Sequence, residues 1–172
     1  PEPSGNPRIE WHPMFREQYC LAVSAEHPLA QESQVQLKNL SGERFVFNNG
    51  SSGFTEVLRG FCCRAGFEPK ICFMGDETDF AYDLVAKNVG VMLVPVTQRD
   101  PRQNRALDLL GHQLRFVPLD GPGCARTIGL CRLKNGYLLP TALATLDAVR
   151  EYYESLMPIQ GFQMLPVRSI NK

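Results

Sequence analysis

The sequence is short of the features that announce a chemistry. It has no C-x-x-C pair, and its three histidines do not cluster with its six cysteines. That spacing argues against a zinc site. It contains no G-x-S-x-G, P-loop or G-x-G-x-x-G, so neither a nucleophile elbow nor a phosphate-cradling loop is marked. No apolar run approaches the roughly 20 residues of a membrane span, and the first residues lack the basic-then-apolar layout of a signal peptide. Neither charge is in surplus, since 18 basic and 18 acidic side chains cancel. That balance argues against a nucleic-acid clamp, which needs a basic excess on one face. Catalytic residues, metal ligands, cofactors and membrane contacts are therefore not expected, and a cytoplasmic setting is.

What is present fits a globular chain. Its 172 residues are 44% apolar and 21% charged, enough for one domain or two small ones with a real core. Cys20, Cys62, Cys63, Cys72, Cys124 and Cys131 sit mostly inside apolar runs, where a free thiol behaves as a small hydrophobe. His12 and His27 each precede a proline, which reads as loop.

Period and punctuation give the organisation. "YCLAVS" (Tyr19 to Ser24) and "RFVFN" (Arg44 to Asn48) read as strands, and "VQLKNLSGE" between them as a connection with one helical turn. After the loop "NGSSG", a helix beginning at Phe54 carries Val57, Leu58, Phe61 and Cys62 on one face and stops at Ala65-Gly66. "KICFM" (Lys70 to Met74) is the next strand. "GDETDFAYDLVAKNVGVMLVP" then joins a helix to a buried strand with no spacer. Arg44 to Val94 is thus β-α-β-α-β, which implies parallel strands and an α/β fold. Further strands are expected at Leu114 to Leu119 and Arg126 to Leu133, and a long helix over Tyr137 to Leu156 with Pro140 in its first turn. That helix is apolar around more than one narrow stripe, which predicts exposed apolar surface and self-association.

Two clusters could carry function. The loop after the Arg44 to Asn48 strand offers Asn48, Asn49, Ser51, Ser52, Gly53 and Thr55, with free N–H groups at a helix start that suit a carboxylate. The plain alternative is a turn with an N-cap, which opens most helices. "GDETD" places three carboxylates at the next helix start. No His or Lys stands nearby to make a catalytic pair, and acids there complement the helix dipole, with Asp76 as N-cap and Asp79 three residues on.

The phrases "VSAEHPLA", "VQLKNLSGERFVF", "AGFEPKICF", "LVAKNVGVMLVP" and "RTIGLCR", in this order and before a long final helix, resemble the effector-binding domain of LysR-type bacterial transcriptional regulators. The resemblance covers about Tyr19 to Leu156. It implies a periplasmic-binding-protein-like fold, a mostly parallel sheet with helices on both faces. It also implies one full subdomain and part of a second. Residues 1–24 would end subdomain I, 25–125 form subdomain II, 126–157 return to subdomain I, and 158–172 be a tail. The partners implied are a small anionic effector, further copies in a dimer or tetramer, and promoter DNA through a helix-turn-helix that this chain lacks. Much of the usual subdomain I opening is also missing, so an N-terminally truncated fragment is expected. The effector loop of the family falls on the Asn48 to Thr55 stretch.

"RGFCCRAG" (Arg59 to Gly66) also resembles the peroxide-sensing OxyR branch of that family. A peroxide sensor needs an attacking thiolate of low pKa with a second cysteine in reach. The branch carries its attacking cysteine about nine residues upstream, where this chain has "GSSGF". A cysteine-based redox sensor is therefore the alternative function.

Overall fold

The structure, a computed structural model, describes residues 6–48, 52–100, 104, 106–120, 123–137, 139–156 and 158–166. In chain order the elements are β1 (Ile9–Ser24), β2 (Val35–Gln36), β3 (Arg44–Asn48), α1 (Ser52–Arg64), β4 (Lys70–Gly75), α2 (Thr78–Ala86), β5 (Met92–Pro95), α3 (Ala106–Leu110), β6 (Leu114–Asp120), β7 (Ala125–Leu133), α4 (Pro140–Glu154) and β8 (Phe162–Met164). The backbone divides into two units. One is Tyr19–Cys124, and the other combines the described residues of Pro1–Gln18 and Ala125–Lys172.

In the Tyr19–Cys124 unit the strand order is β2-β6-β1-β5. The pair β3-β4 joins it through a parallel bridge from Phe45 to Val91. The strands of the β-α-β-α-β stretch run parallel, as do β2 and β6. β1 lies antiparallel between β5 and β6, a placement that alternation of strands and helices does not reveal. Period-2 geometry divides its side chains. Tyr19, Leu21 and Val23 join Phe45, Phe47, Leu58, Phe61 and Leu93 in one core. Tyr19 meets the α1 ring Phe61 edge-on at 5.0 Å. Ala22 faces the other way with its register partner Phe116, and the α2 ring Tyr82 lies 6.5 Å from Phe116. The two helices thus cover opposite faces. Burying each large apolar side chain contributes about 2 kcal/mol.

The turn from α2 into β5 is closed by backbone chemistry. Asn88 takes the left-handed conformation at φ 58°, and Val89 N–H donates to the Leu84 carbonyl at 3.0 Å. Gly90 follows against β3, where a Cβ would sit 2.7 Å from the Arg44 carbonyl oxygen. Only glycine lets the two backbones approach so closely.

In the other unit β1 pairs antiparallel with β7 from Ile9↔Leu133 to Gln18↔Ala125, and with β8 at Phe15 to Glu17. The expected strand at Tyr19 thus begins ten residues earlier, at Ile9. Pro13 hid it. The proline is accommodated by a bulge between Pro13 and Phe15, opposite Gly129, where any side chain would strike the His12 carbonyl and the Trp11 ring. His12 is consequently a buried strand residue rather than a loop residue. Its Nε2 lies 3.5 Å from Glu10, which Arg132 holds at 2.8 Å. Glu17 is fully buried, and both Nε and Nη2 of Arg126 reach its Oε1 at 2.7 Å. α4 begins at Pro140 but buries none of its residues. Tyr153 packs on Phe15, while Leu139, Val149 and Tyr152 stay exposed.

Candidate functional site

β3 and β4 end side by side, with Asn48 paired to Gly75. α1 starts four residues after Asn48 and α2 three residues after Gly75. Two strand carboxyl ends and two helix N-termini therefore meet, the place where open parallel sheets receive ligands. Asn48 Nδ2 donates to Thr78 Oγ1 across 2.5 Å, tying the end of β3 to the start of α2.

The two helix starts differ electrically. α2 carries Asp79 in its first turn, which already offsets its dipole, whereas the first turn of α1 has no acidic residue. An incoming anion is favoured at α1. The cap expected from "GDETD" is corrected here: Glu77, not Asp76, holds the N-cap position, and it makes no side-chain cap bond. The backbone turns one residue later than a capping box requires.

Of the expected site residues, Asn48 closes β3, Gly53 and Thr55 lie in the first turn of α1, and Thr55 is buried. Ser52 opens α1, two residues before the expected start at Phe54. Its side chain, and all of Asn49, Gly50 and Ser51, lie outside the described residues. A Cβ on Gly53 would meet nothing within 4 Å, so open space adjoins that backbone. Thr78 is the participant that sequence reasoning missed. Its signal was present, a hydroxyl at the next helix start in the same alternating pattern.

His27 is the N-cap of a short 3₁₀ turn, Pro28–Gln31, accepting the Leu29 N–H on Nδ1. Among the described residues no three His, Cys, Asp or Glu side chains gather to hold a metal ion.

The thiols are set by burial. Cys62 lies in the core on α1, where desolvation first, and then neighbouring Cys124, Cys63 and Glu68, push its pKa up to about 12. Cys124 is raised by burial as well. Exposed Cys63 donates to a Glu68 carboxylate oxygen at 3.1 Å, and that bond, then desolvation and the carboxylate's charge, raises its pKa.

The family model for the LysR substrate binding domain matches residues 1–154. The chain belongs to that family. Among LysR-type relatives, the transcriptional dual regulator GltC of Bacillus subtilis is 27% identical over 160 residues, 93% of this chain and 51% of GltC. The DNA-binding transcriptional dual regulator OxyR of Escherichia coli K12 is 27% identical over 118 residues, 69% of this chain and 37% of OxyR. The chain spans about half the length of the curated relatives it matches. Among solved structures, the BenM effector binding domain with its effector benzoate superposes with a TM-score of 0.69 at 25% identity, covering 88% of this chain and 66% of BenM's. The fold is thus the periplasmic-binding-protein-like fold of LysR effector-binding domains. No described helix is long and apolar enough to cross a membrane.

Proposed function

We propose that this chain senses a small anionic effector for a bacterial LysR-type transcriptional regulator, and that the effector sits at the carboxyl ends of β3 and β4. The observation that carries the reading is the joint between Asn48 and Thr78 beside the acid-free N-terminus of α1. Benzoate, the effector in the BenM structure, is a carboxylate, which is the chemistry such a helix start favours. Asn48, Asn49, Ser51, Ser52, Gly53 and Thr55 supply the contacts.

The division of the chain into two units supports reading residues 25–125 as one regulatory subdomain and residues 1–24 with 126–157 as part of the other. Effector binding favours one arrangement of the subdomains, and the shift in population changes how the oligomeric regulator engages promoter DNA in the cytoplasm. The helix-turn-helix for that contact lies outside this chain.

The test is calorimetric titration of the complete regulatory region with benzoate and related small carboxylates, wild type against a Ser51→Ala/Ser52→Ala variant. Losing two hydrogen bonds to a carboxylate costs about 2 kcal/mol, a weakening of about thirtyfold. Equal affinities in a folded variant would reduce the loop to a turn.

The likeness to OxyR supports a second reading, a cysteine-based redox sensor. The raised pKa values of Cys62, Cys63 and Cys124 weigh against it, because oxidation by peroxide begins at a thiolate.

A further inference from the structure

The Tyr19–Cys124 unit contains a second concavity, a cavity of about 320 Å³ at the C-terminal half of α1. Its apolar lining comes from Leu37, Phe61, Ala65 and Cys124. Gln36 and Asp120, the last residues of β2 and β6, stand at its edge and are hydrogen-bonded to each other at 3.2 Å. β2 and β6 run parallel, so this cavity also lies at the carboxyl ends of parallel strands. Lys38 and Arg64 complete the lining.

The charges at this cavity are unbalanced. Among the described residues, neither Lys38 nor Arg64 forms an ion pair. Arg64 instead lies over the Phe61 ring, its guanidinium carbon 5.2 Å from the centroid. The carbonyls of Phe61, Cys62 and Cys63 accept N–H groups from Ala65, Gly66 and Phe67. Asp120 already takes a hydrogen bond from Gln36. Two unpaired cations beside an apolar floor suit a ligand with an anionic head and an apolar body.

We propose that this cavity is a second small-molecule site, specific for a small organic acid whose carboxylate lies between Lys38 and Arg64 and whose apolar body rests on Leu37, Phe61 and Ala65. The volume admits a body the size of one aromatic ring. Its wall includes Gly123 and Cys124, the residues from which the chain passes into β7, so occupancy bears directly on that crossing segment. The site shares no described residue with the Asn48 to Thr55 loop and does not depend on the reading given to that loop.

Phenylacetate, with neutral phenylacetamide as its control, tests the proposal on the full chain by amide chemical shifts and calorimetry. A ligand of this size is expected to bind with a dissociation constant of about 1 mM. Shifts at Leu37, Ala65 and Gly123, affinity about tenfold weaker for phenylacetamide, and a similar loss in Lys38→Ala/Arg64→Ala are the supporting results. Both cations are exposed, so that variant should keep its fold, and its melting curve checks this. Ala65→Trp, which fills the cavity, should abolish the shifts while leaving those charges in place. No binding up to about 10 mM, equal binding of the amide, or shifts confined to residues 52–55 would overturn the site.

Discussion

The thiols provide the sharpest test between effector and redox sensing. Burial moves the Cys62 pKa from an ordinary 9.0 to about 12. Three units lower the thiolate population at neutral pH about a thousandfold, and alkylation, which needs the thiolate, slows with it, though by less because the remaining thiolate is more nucleophilic. Exposed Cys131 is an internal reference. In a timed iodoacetamide pulse under native conditions, read by peptide mass spectrometry, Cys131 should be labelled while Cys62 stays unmodified. Glu68→Gln should speed Cys63 most, because it removes the charged acceptor of the Cys63 hydrogen bond, and Cys62 only slightly, because Glu68 is the weakest of the neighbours that raise it. The sign with pH is fixed. A thiol pKa raised by folding stabilises the fold fully below about 9, and that contribution is lost as pH rises towards about 12. Labelling of Cys62 at the Cys131 rate, or sulfenic acid at Cys62 or Cys63 under dilute peroxide, would refute the reasoning and restore the redox sensor.

Three other outcomes are expected. Arg126→Ala leaves the Glu17 carboxylate buried without its cation, costing about 3 kcal/mol. With an m-value of about 2 kcal/mol/M, the urea midpoint read by Trp11, the one tryptophan, should fall by about 1.5 M; an unchanged midpoint would show that the pair contributes nothing. Gly90→Ala should lower the melting temperature, since the added carbon forces β3 to shift at a cost of about 1–3 kcal/mol, and an unaltered melt would contradict the packing. Desolvation raises the Glu10 pKa, but the hydrogen bond and charge of Arg132, aided by His12, outweigh it and hold the carboxyl below the usual range. Its contribution is therefore present above the unfolded carboxylate pKa and lost as pH falls through the folded value. Glu10→Gln should flatten the acid limb of a stability-against-pH curve, and an identical limb would remove Glu10 from the account.

Much of the alternating region was legible because each element there has a clean period. Val57, Leu58, Phe61 and Cys62 mark a helix face, and Phe45 with Phe47 a strand face, without help from distant residues. β1 was only half legible. Tyr19 to Ser24 is apolar on both faces, while Ile9 to Gln18 alternates with Arg16 and Gln18 outward and is interrupted by Pro13. Its strand character depends on Gly129, more than a hundred residues away, which no local pattern encodes. The same limit applies to the site. Asn48 and the serines stand together in sequence, but the link to Thr78 exists only because β3 and β4 pair. The cavity at Lys38 and Arg64 gathers residues from three separate stretches and had no signature at all.

β1 also imposes an order on synthesis. The partners of its second half, β5 and β6, are both translated by Asp120, so the Tyr19–Cys124 unit is complete in sequence while the ribosome is still working. The first half waits for β7 and β8; Glu17 and Arg126 are 109 positions apart, and Glu10 and Arg132 are 122. After Asp120, β7 is completed at Leu133 and β8 at Met164, about 1 s and about 4 s later at bacterial elongation rates. For that interval one end of a 16-residue strand is anchored in a finished sheet while the other, with Trp11, Met14 and Phe15, has unpaired edges outside the exit tunnel. Such a segment is open to misassociation while it waits, and slower translation downstream of Cys124 would lengthen its exposure.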